Sequence, residues 1–530
     1  MTTTQAPAIL KGPAFASRLG EVSREPIIRE PLADSKYSNI LIPGLLGGEV
    51  QFALLGLTGQ ALRIRGAVVT ALMCDQFLPA CTLRKVEHHE SACTRWCHRN
   101  AEPFARALKL PHRWYSEFLG ANDKRTCDQV ADELADDQLV RLEYDGLALG
   151  PLIRASIESY FKVGRFDPGD PTMVQMGREL ARAALYLAVI GDRALDELKI
   201  DKVLMEDGRK IDWGVIRAVA LRRGIPVDVM QWGLRGFSIR VEPNRPGMTV
   251  VSMPLWSRWR DQPLTAVEER RLDEYLTRRA SVPYEYRGSV RSVTDPAETR
   301  TAAGLPAALT GPTFALFSNV SFDAPRNRTI AAFQTAIEWI VATVRFFESW
   351  PDHQLIVKAH PDEACTGVRD PILPALRAAV DPLPANVCLI GPETSVAAHS
   401  VIGLADVVLA YTSTTAVEAT ALGKPVILVG GGIHSGRGAT MDVATPQAYE
   451  ALLESICRGD LVPEVSLELA RRYAYSIFFR ANIPVRCFGI RGLDVEALHI
   501  QSLNDLAPGR DPSMDVVCQG ILRDEPIVNA

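Results

Sequence analysis

The chain has 530 residues, 47% of them hydrophobic, and a net charge of −5 at pH 7. This length favours two or three domains, and without a basic excess to release counterions the chain is not expected to bind nucleic acid. Residues 1–36 are predicted to be an N-terminal extension without a signal-peptide core, and no apolar run is long enough to span a bilayer. Ten scattered cysteines fit reduced thiols. We therefore expect a cytoplasmic protein, with peripheral association at the inner face of a membrane left open.

Residues 37–280 are predicted to form a first Rossmann-like domain. Strands are expected at 39–43 and 67–73, with a glycine-rich turn at 44–48 and a helix at 51–64 between them. A second βαβ unit follows, with strands at 202–205 and 224–230 and a helix at 211–223. The glycines do not spell G-x-G-x-x-G, so the sequence gives little support to an oxidoreductase.

A group of cysteines and histidines lies early in this domain. Its members are Cys74, Cys81, Cys93 and Cys97, with His88, His89 and His98. Thiolates and imidazoles at this density could bind Zn²⁺, but the gaps lack the paired C-x₂-C spacing of common zinc modules. Ordinary cysteines are favoured, and no metal site is predicted.

Two carboxylates follow the strand at 202–205. Glu206 and Asp207 would lie at its carboxyl end, facing the crevice where such sheets bind their ligands, so either could be a general base. Asp145, which precedes Gly146, is the rival carboxylate. A turn built on Asp-Gly explains these positions without a function. The sequence leaves the choice open.

Residues 281–311 are predicted to be an interdomain linker, and residues 312–463 a second Rossmann-like domain. Strands at 313–317, 355–357, 387, 407 and 426 alternate with helical segments, including one at 329–348, as in a parallel sheet. Ser318 and Asn319 follow the first of these strands and could hydrogen-bond a phosphate or a sugar. A turn-forming role explains them equally well.

Lys358 and His360 come directly after the strand at 355–357, and Pro361 ends that strand. Lys358 could neutralise a phosphate, while His360, which titrates near neutrality, could hydrogen-bond or protonate a leaving phosphate. A strand-end histidine that merely bonds a neighbouring loop is the alternative. The pair predicts a phosphate site.

Ser413, Thr414 and Thr415 lie between a strand at 405–410 and a helix at 416–422. Hydroxyl side chains there would cap the helix and leave its first N–H groups free for an anion, although plain capping needs no ligand. Glu418, one turn further on, could reach a ribose or sugar hydroxyl, or could simply compensate the helix dipole. This junction predicts a second phosphate-binding element.

The order and spacing of these motifs carry a resemblance. The segments KAHPDE (358–363), TSTTAVEATALGKPV (412–426) and GRGAT (436–440) resemble the donor half of GT-B glycosyltransferases, and more narrowly the bacterial capsular-polysaccharide transferases, including Kdo transferases. GT-B sialyltransferases share a similar His-Pro and Ser-Ser/Thr pair. The resemblance extends over about residues 314–483.

The resemblance implies an α/β fold of two Rossmann-like domains that face each other across a cleft. It also implies a C-terminal crossover helix, placed at 464–490, and leaves residues 491–530 as an irregular tail. In such enzymes the His-Pro and hydroxyl motifs hold the phosphate and ribose of a CMP-sugar. The first domain receives the acceptor, and an acidic-acidic-Gly motif supplies the base.

We therefore predict a glycosyltransferase that moves a sugar from a nucleotide-sugar, with CMP-sugars among the candidates, to a surface-polysaccharide or lipid-linked acceptor. No Asp-x-Asp motif is present where a metal-dependent transferase needs one, so neither a metal nor a cofactor beyond the nucleotide-sugar co-substrate is predicted. Two alternatives stay open: a nucleotide-sugar epimerase or hydrolase of the UDP-sugar 2-epimerase type, and a non-catalytic capsule-assembly subunit. The oligomeric state is not predicted.

Overall fold

The computed structural model describes residues 9–32, 34–45, 48–82, 93, 97–244, 253–281, 295–322, 331–364, 367–394, 396–431, 434–492 and 494–529. It divides into two compact units. Unit 1 comprises Met1–Tyr160, Phe166–Met248 and Phe479–Ala530, and unit 2 comprises Phe161–Arg165 and Thr249–Phe478.

The strands are, in chain order, β1 (Asn39–Pro43), β2 (Val68–Met73), β3 (His112–Trp114), β4 (Glu143–Tyr144), β5 (Leu147–Ala148), β6 (Lys202–Glu206), β7 (Val227–Trp232), β8 (Ser238–Pro243), β9 (Thr313–Phe317), β10 (Gln354–Lys358), β11 (Val387–Ile390), β12 (Val407–Ala410), β13 (Val426–Leu428), β14 (Met441–Asp442), β15 (Ile483–Pro484), β16 (Phe488–Arg491) and β17 (Asp494–Leu498).

The α-helices are α1 (Pro13–Val22), α2 (Glu49–Ile64), α3 (His98–Ala107), α4 (Ala121–Glu133), α5 (Gly150–Phe161), α6 (Pro171–Glu197), α7 (Ile211–Arg222), α8 (Met253–Trp259), α9 (Ala266–Ser281), α10 (Pro296–Ala302), α11 (Ala336–Phe347), α12 (Ile372–Ala379), α13 (Ala398–Leu404), α14 (Thr415–Ala421), α15 (Pro446–Cys457), α16 (Leu467–Tyr475) and α17 (Pro512–Arg523). No helix in the described ranges is long and apolar enough to cross a membrane.

Unit 1 is built on a sheet with the strand order β15-β8-β7-β6-β1-β2-β3. Strands β7, β6, β1, β2 and β3 run parallel, while β8 and β15 each pair antiparallel with their neighbour. The chain builds outward from β1 to β2 and β3, then returns to the other side of β1 as β6. Ligands of such sheets bind outside the carboxyl ends of the strands where the order reverses, here between β1 and β6.

The core of unit 1 includes segments from both ends of the sequence. α2 is apolar on all sides and almost wholly buried, so it needs neighbours around its whole circumference. One neighbour is α3, whose Phe104 packs edge-on against Phe52 of α2 and against Phe15 of α1, with ring centroids 5.3 Å and 4.8 Å away. Another is α17, which buries Val517, Cys518 and Ile521 in the same core. Residues 494–523 therefore contain a strand and a helix rather than the irregular tail expected from their polar sequence.

Unit 2 contains a fully parallel sheet in the order β11-β10-β9-β12-β13-β14. β9 to β12 are short runs of apolar residues buried on both faces, the pattern typical of parallel strands covered by helices. One face packs against α11, α12 and α15, and the other against α13 and α14. The chain leaves β9 toward β10 and β11 and returns on the other side as β12, so the switch point lies beside β9.

The predicted fold class is confirmed, since each unit has a mainly parallel sheet covered by helices. The boundary between the units differs from the predicted one at residue 280, because α9 packs against α13 and α16 and belongs to unit 2. Of the predicted linker, residues 282–294 lie outside the described residues, and α10 packs against α13. After α16 a π-helical turn (Ser476–Arg480) leads the chain back into unit 1.

Candidate functional site

Three strand ends meet at the switch point of unit 2. Lys358 at the end of β10 and Ala410 at the end of β12 both pair with Phe317, the last residue of β9. The polar residues after these strands therefore lie together at one edge of the sheet. They surround a cavity of about 90 Å³, the strand-end recess, whose lining includes Arg279, Ser318, Lys358, His360, His399, Ser413, Thr414, Thr415 and Glu418.

Lys358 is the dominant charge of the strand-end recess. The residue is 6% exposed, and burial lowers its pKa to about 8. Among the residues that the structure describes, no carboxylate pairs with it, and burial alone accounts for its lowered pKa. A buried ammonium without a counter-ion is costly unless an anion arrives to compensate it. The recess is therefore electrostatically prepared for an anion.

Two hydrogen bonds hold His360 in place. Its backbone N–H donates to the side-chain Oγ of Ser318 at 3.0 Å, and its ring Nδ1 accepts the backbone N–H of Asp362 at 3.2 Å. Because Nδ1 accepts, the neutral imidazole carries its proton on Nε2. Ser318, for which the sequence left a phosphate or sugar contact and a turn-forming role equally open, thus holds the His-Pro turn, and the Nε2–H is a suitable donor to a phosphate oxygen.

Residues 411–415, the hydroxyl loop, connect β12 to α14. The Ser413 Oγ accepts the N–H of Thr415 at 3.3 Å and donates to the Thr415 hydroxyl at 2.9 Å. The N–H groups of Ala416 and Val417 donate to the carbonyls of Ser413 and Thr414. Such bonds between residues three apart tighten the first turn. The expectation of free N–H groups at this helix start is therefore wrong, and the loop offers hydroxyl groups instead.

Asn319 fixes the hydroxyl loop from the neighbouring strand, because its Oδ1 accepts the N–H of Thr412 at 3.3 Å. Gly430 supports the loop on the other side, with its N–H on the Tyr411 carbonyl at 2.9 Å. A Cβ at position 430 would lie 2.3 Å from that carbonyl oxygen, so this close approach requires glycine. The Tyr411 hydroxyl donates to the Phe333 carbonyl at 2.7 Å.

Glu418 lies at the bottom of the recess, only 4% exposed. One of its oxygens accepts a short hydrogen bond from the Nε of Arg279, and the other lies 3.5 Å from the Nδ1 of His399. Burial lowers the pKa of His399, and the charge of Glu418 opposes this effect. The carboxylate thus compensates Arg279, which leaves Lys358 as the charge that a ligand would meet.

Arg279, His399 and His434 were not among the residues predicted at this edge. Arg279 and His399 come from α9 and α13, helices remote in sequence from the motifs. His434 is buried, and its Nε2 lies 2.8 Å from the carbonyl oxygen of Ser413. His434 stands two residues after the glycine run at 430–432, which was the available signal for it; Arg279 and His399 had none.

A second, larger cavity of about 160 Å³ lies in unit 2 on the α11 side of the sheet. Both carboxylates in its lining already have partners: Asp370 accepts the Gly164 N–H at 2.7 Å and the Ser321 hydroxyl, and Glu338 accepts the N–H groups of Gln334 and Thr335 before α11. Its remaining lining is largely apolar, with Ala336, Ile372 and Tyr411 among its members. The reactive side chains of unit 2 therefore concentrate in the strand-end recess.

In unit 1, Glu206 and Asp207 lie at the carboxyl end of β6, beside the switch point. Asp207 bonds Arg209 through the guanidinium Nε at 2.6 Å, and despite its burial the charges of Arg209 and Lys210 lower its pKa. Burial raises the pKa of Glu206 to about 8, and the charge of Asp207 adds to this effect. Glu206 is therefore the stronger base of the two.

Asp145 lies elsewhere in unit 1. It occupies the tight turn between β4 and β5 with φ of 48°, and its carboxylate pairs with Arg222 at the end of α7. α7 follows β6 and returns antiparallel to it over 12 residues, roughly 18 Å. Asp145 is therefore at the opposite edge of the sheet from Glu206, and the structure does not bring the two together.

The cysteine group shows no metal-binding arrangement. Across the described part of the chain, no three His, Cys, Asp or Glu side chains are placed to hold a metal ion, and His88 and His89 lie outside that part. Burial raises the pKa of Cys74 to about 12, which makes it a poor thiolate ligand. The cysteines that the structure describes are thiols and not halves of a disulfide.

Two Rossmann-like units in one chain are the architecture of GT-B-type proteins. Within unit 2, residues 310–451 match the family model described as "Capsule polysaccharide biosynthesis protein". This match contains β9 to β14 and nearly all of the strand-end recess. The resemblance to capsular-polysaccharide enzymes that the motifs predicted is thus confirmed for that segment.

Several solved structures are similar to this chain. Two are structures of Thermosulfurimonas dismutans KpsC, described as beta Kdo 2,7 transferase and beta Kdo 2,4 transferase, and each is 15% identical to this chain. Both matches cover 58% of this chain. They cover 85% and 87% of the respective KpsC chains, with TM-scores of 0.31 and 0.33. A third is UDP-GlcNAc 2-epimerase from Neisseria meningitidis, 12% identical over 83% of this chain and 93% of its own, with a TM-score of 0.23. No curated protein matches the sequence. With such TM-scores, only the family match and the site geometry bear on function.

Proposed function

We propose that the protein is a glycosyltransferase of capsule-type polysaccharide synthesis that uses a nucleoside-monophosphate sugar, a CMP-sugar, as donor. The observation that carries the proposal is Lys358, a buried ammonium without a carboxylate partner among the described residues, next to His360 at a sheet switch point. The family match over residues 310–451 supports the pathway class.

The charge balance of the strand-end recess favours a single phosphate. Arg279 is compensated by Glu418, so Lys358 supplies one net positive charge. A sugar nucleotide with one phosphodiester carries one negative charge there, whereas a diphosphate carries two. Because the described residues of the recess supply no second uncompensated cation, a diphosphate would keep one charge uncompensated in this buried site. A cavity of about 90 Å³ would accommodate a phosphate group, with the rest of the donor extending beyond it.

In the proposed reaction, the acceptor hydroxyl oxygen bonds to the anomeric carbon of the sugar as the bond from that carbon to the phosphate oxygen breaks. The nucleoside monophosphate leaves with the bonding electron pair. Lys358 and the Nε2–H of His360 stabilise the negative charge on the leaving oxygens, which is electrostatic catalysis in a buried environment. We propose that this step proceeds without a metal ion.

The acceptor proton is assigned to Glu206. A base with a pKa of about 8 takes up a proton more readily than an ordinary carboxylate and is still partly ionised at neutral pH. Asp207 remains ionised through Arg209 and Lys210, and its charge helps to raise the pKa of Glu206. We propose Asp207 as the tuning residue of this pair. The acceptor is proposed to be a growing glycan or a lipid-linked sugar.

Calorimetric titration of the intact protein with CMP, UDP, GDP and inorganic phosphate tests the donor class. We expect CMP to bind more tightly than phosphate, and UDP and GDP to bind more weakly than CMP. If none of the four binds, the transferase proposal fails. Incubation with a CMP-sugar alone provides a second test, because an epimerase would convert the sugar whereas a transferase gives at most slow hydrolysis.

A further inference from the structure

We infer that His434 is a positioning residue that holds the hydroxyl loop, residues 411–415, in the geometry that the donor phosphate requires. The inference rests on the proposed function and deepens it. His434 is 2% exposed, and the carbonyl oxygen of Ser413 lies 2.8 Å from its Nε2. A carbonyl can only accept, so Nε2 carries the proton and Nδ1 is bare. The imidazole is thus a fixed N–H donor to the backbone of the loop.

The ring keeps this tautomer throughout the working pH range. Burial lowers the pKa of His434 to about 4, the Ser413 bond opposes that shift, and the charge of Arg437 reinforces it. The Nδ1 atom is buried and has no hydrogen-bond partner among the residues that the structure describes. A polar ring held in this way contributes one directed hydrogen bond, and the bond is not lost by titration near neutrality.

His434 contacts the hydroxyl loop through the backbone carbonyl of Ser413. Asn319 and Gly430 hold the preceding residues, Thr412 and Tyr411, by backbone hydrogen bonds. His434 acts on Ser413 itself, whose hydroxyl lines the strand-end recess and accepts the Thr415 N–H. If the Ser413 peptide rotates, its hydroxyl leaves that position. Loss of the His434 bond should therefore displace the hydroxyl groups while Lys358 remains in place.

Two amide substitutions separate the bond from the volume of the side chain. In His434→Gln the side-chain amide nitrogen reaches the position of Nε2, whereas in His434→Asn it reaches only the position of Nδ1. We expect the CMP Kd to rise about tenfold in the asparagine variant and to stay within about twofold of wild type in the glutamine variant, as for one lost or retained buried hydrogen bond. Hydrogen exchange of residues 411–418 without ligand should accelerate in the asparagine variant only.

His353 provides a matched control. It is also a buried histidine of unit 2, and its Nε2 lies 3.2 Å from the Cys457 carbonyl. Within the described ranges its Nδ1, like that of His434, has no hydrogen-bond partner. It precedes β10 and so lies at the sheet edge opposite the recess. His353→Asn should destabilise unit 2 to a similar degree without changing the CMP Kd or the exchange of the loop.

The two measurements distinguish the outcomes. Unchanged loop exchange in His434→Asn would overturn the inference whatever the ligand does. Faster exchange with a wild-type CMP Kd would overturn it too, because the loop would then not serve the donor. Equal losses in His434→Asn and His353→Asn would reduce His434 to a structural role. If the wild type binds neither CMP nor phosphate, the proposed function fails, and the exchange data still decide whether His434 holds the loop.

Discussion

Replacement of Lys358 by methionine should strengthen the fold and abolish donor binding. The methionine side chain is unbranched like that of lysine and only one heavy atom shorter, and it carries no charge. The pKa of Lys358 falls from 10.5 to about 8 on folding, and each tenfold change in proton affinity corresponds to about 1.4 kcal/mol. The buried charge therefore costs the folded protein up to about 3 kcal/mol at pH 7, where the lysine is protonated in both the folded and the unfolded states.

The sign of the pH dependence follows from the same shift. Between pH 8 and 10.5 the unfolded state binds the proton and the folded state does not, so stability rises with pH across this window. The gain in the free energy of unfolding from Lys358→Met should be fully present below pH 8 and should disappear near pH 10.5. Urea unfolding of both proteins at several pH values measures the difference, and calorimetry with CMP should show at least about a hundredfold loss of affinity.

Lys202 is the matched control for this prediction. It is also a buried lysine on a parallel strand, but its Nζ lies 2.9 Å from Asp228 and 2.7 Å from Asp524. Lys202→Met would leave Asp228 buried without its cation and should destabilise the protein by about 3–5 kcal/mol. A Lys358→Met variant that is destabilised like Lys202→Met, or that binds CMP as wild type does, would refute the reasoning.

Three further predictions concern the reaction. Glu206→Gln should lower kcat by about 100-fold or more without changing the CMP Kd. Asp145→Asn should leave both kcat and the CMP Kd within about twofold of wild type. If the two variants lower kcat equally in a steady-state assay, Glu206 is not the base. Because Glu206 must lose its proton and Lys358 must keep its own, each with a pKa of about 8, kcat/KM should rise and then fall around pH 8, and a flat profile would contradict both assignments. His360→Ala should lower kcat about 100-fold, and His360→Gln, which can still donate from the position of Nε2, should recover part of the loss; equal rates for the two variants would exclude the proposed hydrogen bond.

Much of the architecture could be predicted because parallel strands have a strong local signature. The bounds expected for β1 and β9 agree with the structure, since both are short apolar runs buried on both faces. The rule that ligands lie at the carboxyl ends of such strands also placed Lys358, His360 and Ser413 at one sheet edge.

The rest depends on contacts that no local pattern encodes. Arg279 reaches the recess because α9 packs against α13 and α16, and its position cannot be read from the sequence near the motifs. The helix α17 was not predicted because the sequence after residue 490 is mostly polar. Its few apolar residues lie on one side of the helix and pack against α2. At the start of α14 the run of Ser and Thr suggested free N–H groups. In the structure these groups donate to carbonyl oxygens three residues earlier, within a tight first turn.

The discontinuity of unit 1 has a consequence for the order in which the protein matures on the ribosome. β15 and α17 complete the sheet and core of unit 1, yet they are synthesised after residues 249–478 of unit 2. At roughly 5–20 residues per second, unit 1 waits about 10–50 s for these last pieces. During that interval β8 has an unpaired edge and α2 has an uncovered apolar face. We therefore expect unit 1 to complete its core only after the chain of unit 2 has been synthesised.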